Sequence, residues 1–170
     1  VLFQTSLISN YIVGFDVHPA YHVFKSAQSS GKWDPLIKAF DPTIPRTNQM
    51  LSVTIFPTTY SNILNLEGTW IFKIIYPMIF ALVPVGLYYL YQKNMEKKIA
   101  FSAAIVILAD ITFFAEMPGL PTQMIGEFFL VLSLIVMFHE KLSPVKKMIF
   151  FTIFSAGIIV SHYGISYIFM

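Results

Sequence analysis

Asp16 and His18 stand two residues apart in the string Gly14-Phe15-Asp16-Val17-His18-Pro19-Ala20-Tyr21-His22. In an extended chain both side chains point the same way. A carboxylate and an imidazole so placed share a proton or clasp a cation, and a divalent ion is the one cofactor they suggest. A plain turn at Gly14 and Asp16 accounts for the same residues, because an Asp-x-His spacing carries little information alone. Trp33-Asp34-Pro35 and Phe40-Asp41-Pro42 read first as Asp-Pro turns. Further along, isolated ionisable groups lie within or beside apolar runs: Lys73, Asp110, Glu116, Glu127 and His162. Gln123 and Glu127 are four apart and stack on one side of a helix; Ser155, His162 and Ser166 would form a polar stripe. With no Cys in the chain, disulfides, thiol nucleophiles and thiolate metal sites are excluded.

The elements that must position these groups are membrane helices. Of the 170 residues, 56% are hydrophobic and only 12% charged. The mean hydropathy is +0.67. A soluble domain carries about 25% charged residues. The net charge of +2 does not argue for nucleic acid as a partner. Residues 1–68 hold no apolar run of the roughly 20 residues needed to span. Beyond them lie four candidate spans, at about 70–91, 99–115, 122–138 and 148–170. Pro77 and Pro84 should kink the first. Asp110 interrupts the second, and the second and third are short. The expected class is thus an all-α membrane protein. It has two parts: an external segment over 1–68 with short interfacial helices, and a four-helix segment over 69–170. Asn48–Leu66, broken at Pro57, reads equally as an interfacial helix or a packed external loop, and Pro35–Phe40 is a shorter stretch of the same kind. The absence of an initiator Met before Val1 and the apolar run still open at Met170 read as a fragment of a larger bundle.

Lysines orient the spans. Lys93, Lys97 and Lys98 lie between the first and second, and Lys141, Lys146 and Lys147 between the third and fourth. The connection around Glu116–Pro121 has none. These two basic connections are therefore expected in the cytoplasm, with residues 1–68 and the 116–121 loop outside. Lys25, Lys32, Lys38 and Arg46 run against this asymmetry, but their segment exceeds the roughly 60 residues over which loop charge counts. At about 1.5 Å per residue, Asp110 then sits roughly 18 Å above Lys98, and His162 roughly 22 Å above Lys147. Glu127 lies roughly 9 Å below Pro121. In a core about 30 Å thick all three fall in the outer half, with Lys73 just inside the outer boundary. Ionisable groups at that depth cost about 2.5–3.5 kcal/mol each, so a shared functional cavity is the expected reason for them. An internal network, with Lys73 paired to Glu116 or Asp110, is the plainer alternative.

Four strings occur in order: Ser9-Asn10-Tyr11 leading to Gly14-Phe15-Asp16-Val17-His18; Thr69-Trp70-Ile71-Phe72-Lys73-Ile74 with Tyr76-Pro77; Phe113-Phe114-Ala115-Glu116-Met117-Pro118; and Val160-Ser161-His162-Tyr163-Gly164. Together they resemble a family of uncharacterised, mainly archaeal multispanning membrane proteins, itself similar to the GT-C glycosyltransferases. The resemblance implies sugar transfer from a lipid-phosphate-linked donor, outside the cytoplasm, to a glycan or protein acceptor. It implies that Asp16 is the external-loop carboxylate serving as base or metal ligand. His18, Glu116, Glu127 and His162 would assist, and Lys73, Gln123, Tyr163 and Arg46 would bind substrate. Ala20 stands where the family pattern has Glu, and Thr122 where it has Arg. A transporter passing protons or ions along Asp110, Glu127 and His162 is the second expectation. A non-catalytic relative is the third.

Overall fold

The computed structural model describes residues 2–37 and 40–169; Lys38 and Ala39, inside the Pro35–Phe40 stretch, lie outside it, as does Met170 at the end of the last expected span. The described residues form helices joined by turns and loops, with no strand among them. Four helices precede the first long one: α1 (Leu2–Ser6), α2 (Val17–Ser30), α3 (Thr43–Asn48) and α4 (Leu51–Leu64). Val17, Ala20, Val23 and Phe24 form the buried stripe of α2, and Gly31 ends it in the left-handed conformation, φ 66°. Asn65 ends α4 the same way at φ 51°. The Asn48–Leu66 stretch thus contains a packed helix. Its inward side is largely polar, burying Ser52, Val53, Thr54, Pro57 and Ser61.

The longest helix is α5 (Gly68–Tyr91), long and apolar enough to cross a membrane. Pro77 and Pro84 do not divide it. Instead Ile71–Ile75 is wound as a π turn just ahead of Pro77, where the proline ring would otherwise press on the Lys73 carbonyl. Next come α6 (Lys97–Ala109) and α7 (Thr112–Gly119), bent 53° from each other at Asp110. The chain continues as α8 (Pro121–Met137), α9 (Pro144–Ser161) and α10 (Tyr163–Phe169). Pro121 and Pro144 open their helices at positions where a missing N–H costs nothing. Of the later helices, α9 is also long and apolar enough to cross, and α6 with α7 make a third crossing if the bent pair is one span. The shorter α8 has 17 residues.

Two of the expected straight spans are therefore broken. The 99–115 run stops at Ala109, and the 148–170 run stops at Ser161. The break residues are the ionisable ones, Asp110 and His162. Each is extended (ψ 132° and 116°) and caps the helix after it. The Asp110 carboxylate accepts the Thr112 N–H at 2.8 Å, and His162 Nδ1 accepts the Ile165 N–H at 3.1 Å.

Small residues let the long helices close up. A Cβ on Gly86 would meet Val131 at 2.4 Å, and one on Gly157 would strike the Phe129 ring at 2.8 Å. Thus α8 is held between α5 and α9. The core runs from Phe24 through Phe72, Tyr76 and Phe80, with the Phe72 and Tyr76 rings stacked at 4.9 Å. The fully buried Tyr76 hydroxyl donates to the Ser52 carbonyl, joining α5 to α4.

One end of the bundle gathers α1 and the loop before α2 together with α7. There a Cβ on Gly14 (φ 129°) would lie 2.6 Å from the Gly119 Cα, so the two backbones touch. The Thr5 hydroxyl donates to the Phe114 carbonyl at 3.0 Å. The other end gathers the basic connections: Lys93 Nζ donates to the Phe138 carbonyl at 2.9 Å, and Lys147 Nζ to the Met137 carbonyl at 3.3 Å.

Candidate functional site

Helix α2 begins immediately after Asp16, and this overturns the extended reading of Asp16 and His18. Asp16 takes helical dihedrals at the N-cap and His18 lies in the first turn. At 3.6 residues per turn, positions two apart point about 200° from each other. Both side chains are exposed. Two donors facing apart do not fit one divalent cation. Among the described residues no group of three or more His, Cys, Asp or Glu is placed to hold a metal. The position of Ala20 is also explained here: it is fully buried in the α2 stripe, a packing position in this chain.

The expected polar layer divides: Asp110 and Glu127 share one cleft, and His162 and Lys73 do not line it. On α8, a Cβ at Gly126 would sit 3.0 Å from the His162 Cβ, so His162 lies level with Glu127. Adjacent helical positions point about 100° apart, so Gly126 faces His162 while Glu127 faces elsewhere. Glu127 accepts the Gln123 amide N–H at 2.8 Å, as their spacing predicts, and shares a cleft of about 330 Å³ with Asp110, Thr112 and Phe113.

Lys73 and Glu116 line a second cleft of about 310 Å³ with Thr5, Gly14, Phe15 and Gly119. Lys73 is only 3% exposed and sits in the π turn of α5. Its ammonium donates to the carbonyls of Ser9 and Tyr11, the latter at 3.0 Å, and lies 5.9 Å from the Trp70 ring. Neither Glu116 nor Asp110 pairs with it. Hydrogen bonds from a charged donor stabilise by about 1.5–3 kcal/mol each, which offsets much of the several kcal/mol lost on burying an ammonium. Lys73 therefore pins the 9–11 loop to α5. Glu116 is exposed.

A third cluster forms where α9 ends. Tyr163 stacks on His162 with ring centroids 5.3 Å apart and planes 8° from parallel. The Arg46 guanidinium lies 5.6 Å from the Tyr163 ring centroid. Because Nδ1 of His162 accepts a backbone N–H, the neutral ring carries its proton on Nε2. His162 is in that form a donor, not a base. Ser166 bonds the His162 carbonyl at 2.8 Å, and Gly164 leaves room for the ring over α10. Arg46, His162 and Tyr163 thus come together from two separate segments, while His18, Lys73, Gln123, Glu116 and Glu127 lie elsewhere and Asp16 is exposed at the start of α2.

Asp34 and Asp41 are turn residues. Their carboxylates accept the Leu36 and Thr43 N–H groups at 3.0 and 2.8 Å. The Thr43 N–H and hydroxyl hold the Asp41 carboxyl below the usual range. Nothing in the local sequence pattern announces the bond from Thr5. For the contact of Gly14 with Gly119, the Pro118-Gly119 dipeptide is the available signal.

Compared with protein-family models, with curated proteins and with solved structures, the chain matches none.

Proposed function

We propose that this chain belongs to a membrane glycosyltransferase of GT-C type that transfers a sugar from a lipid-phosphate donor on the extracytoplasmic side. The convergence of Arg46, His162 and Tyr163 where α9 ends supports the reading, bringing a guanidinium, an imidazole N–H donor and an aromatic face together. Asp16, exposed at the start of α2, is the carboxylate assigned to it. In this topology α5, α6 with α7, α8, and α9 with α10 make four crossings. Residues 1–68 and 116–121 lie outside. The meeting of both lysine connections at one end supports that arrangement.

The chemistry assigned to the cluster is one displacement. Asp16 takes the proton of an acceptor hydroxyl as its oxygen bonds to the anomeric carbon of the donor. The bond from that carbon to the phosphate oxygen breaks, its electron pair leaves with the lipid phosphate, and the anomeric configuration inverts. Arg46 matches the leaving phosphate with two parallel N–H donors, a fit Lys does not provide. His162 Nε2–H donates to oxygen, and Tyr163 offers a face to a sugar ring. No step is assigned to a metal.

Asp16→Asn should fold normally, since the side chain is exposed and makes no capping hydrogen bond. Sugar transfer from radiolabelled lipid-linked donors, in membranes containing the intact protein, should fall by about 10²–10⁴-fold, the usual worth of a general base. Transfer persisting at wild-type rate would remove Asp16 from the role.

One observation favours a second reading. Asp110, Gln123 and Glu127 share a cleft among apolar helices, as the carboxylates of an ion-coupled carrier do. That reading requires proton-coupled flux in proteoliposomes that Asp110→Asn abolishes.

A further inference from the structure

A cleft larger than either described above touches none of the groups assigned to the candidate site. It measures about 580 Å³ and runs between α4 and the helices α5, α8 and α9. Its wall is hydrocarbon and aromatic: Ile55, Phe56, Ile79, Ile125, Phe128 and Phe129. No lining residue is charged, and the polar side chains are hydroxyls, those of Ser52, Thr59, Tyr60 and Ser161. Thr59 bonds the Ile55 carbonyl at 2.9 Å, and Ser52 bonds the Ser161 carbonyl at 3.3 Å. Ser161 is different. It is 1% exposed, and its hydroxyl has no partner among the described residues. Most buried hydroxyls have one.

Two further facts say what enters. The groove opens at Ile55 (42% exposed) and Val160 (36% exposed), beside α9, whose own apolar surface is almost wholly uncovered. On a membrane reading that surface faces lipid tails, so the groove opens to the hydrocarbon. It also lies within the 300–1,000 Å³ range of small-molecule sites. We infer that the groove between α4 and α8–α9 binds one acyl chain of a bilayer glycerophospholipid, with an ester carbonyl accepting from the Ser161 hydroxyl. The hydroxyl reaches it by rotation about a single torsion. An acyl chain needs no charged partner, and an ester carbonyl is an acceptor that matches the buried Ser161 donor. This inference rests on the chain being in a membrane and does not require sugar transfer.

The test is photolabelling in vesicles of phosphatidylcholine carrying a diazirine midway along one acyl chain, with the intact protein reconstituted. Labelled residues are located by peptide mass spectrometry. Adducts are expected on Ile79, Ile125, Phe128 or Phe129, in addition to the exposed α9 residues Phe150 and Ile153. Ile55→Trp or Val160→Trp, at the tolerant rim, should lower the groove adducts at least tenfold and leave those on Phe150 and Ile153 unchanged. Ser161→Ala should lower groove labelling roughly fivefold, the worth of one neutral hydrogen bond. Wild-type adducts confined to the exposed face, or groove adducts that survive both tryptophans, would overturn the site. Unchanged labelling in Ser161→Ala would overturn the carbonyl contact.

Discussion

Asp110 and His162 do the same structural work with different chemistry. Each stands where an apolar helix stops, and each satisfies a backbone N–H that the break sets free. Broken helices persist at membrane depth only where such groups are satisfied or face a cavity. Asp110→Ala removes the cap and should lower stability by about 1 kcal/mol, read as a lower midpoint of thermal unfolding in detergent. Asp110→Asn keeps an acceptor oxygen and should leave that midpoint nearly unchanged. Equal losses in the two variants would mean that the cap is not what the carboxylate contributes. Glycine positions allow a second comparison. Gly14 and Gly31 both have positive φ, at 129° and 66°. A Cβ on Gly31 meets nothing within 4 Å, whereas one on Gly14 meets the Gly119 backbone. Gly31→Ala should cost about 1 kcal/mol and Gly14→Ala at least about 2 kcal/mol more, because backbone cannot swing aside as a side chain can. Similar losses would show that the loop before α2 can lift off α7.

At the scale of elements, apolar runs and prolines are what make the fold legible in the sequence. The apolar runs mark where α5, α6, α8 and α9 lie, though not where the second and fourth runs break, and the stacking of Gln123 on Glu127 expresses helical periodicity. The two π turns, Ile71–Ile75 and the start of α7 at Thr112–Glu116, are legible only in part: Pro77 stands just beyond the first, but both are also tied to distant partners. Ile71–Ile75 is tied through Lys73 to the Ser9 and Tyr11 carbonyls, and Thr112–Glu116 through Phe114 to Thr5. The direction of Asp16 relative to His18 is hidden because a short polar stretch next to Pro19 does not announce a helix. The buried stripe at Val17, Ala20, Val23 and Phe24 is the signal that points to α2. Helix contacts give a prediction of their own. Gly157 lies flat against the Phe129 ring, and without a hydrophobic drive between membrane helices such close fits hold them together. Gly157→Leu should cost about 1–3 kcal/mol and separate α8 from α9. A cysteine pair introduced across that contact would then crosslink more slowly; an unchanged crosslinking rate would show that the helices repack around leucine.

At the scale of the whole molecule, the two ends of the bundle differ in what they hold. One end collects Lys93, Lys141 and Lys147 near the Phe138 carbonyl and a cleft of about 460 Å³ lined also by Tyr89 and Asn94. The other collects the cluster of Arg46, His162 and Tyr163. Short basic connections stay on the cytoplasmic side because moving them across is costly, so the cluster should face outward. The chain has no native Cys, which makes the prediction clean to test. Leu36→Cys (Leu36 is 81% exposed) reports on the outer segment, and Met95→Cys (Met95 is 50% exposed) on the first basic connection. Both sites are accessible, so labelling depends on sidedness and not on burial. A membrane-impermeant maleimide added to intact cells should label the cysteine at 36, and should reach the one at 95 only after the membrane is permeabilised. The reverse order would put the cluster in the cytoplasm, where an extracytoplasmic lipid-linked donor could not meet Asp16. Transfer would then have to be abandoned even if every contact in the cluster were correct. Sidedness is therefore the condition on which the chemistry depends, and it can be measured without knowing the sugar.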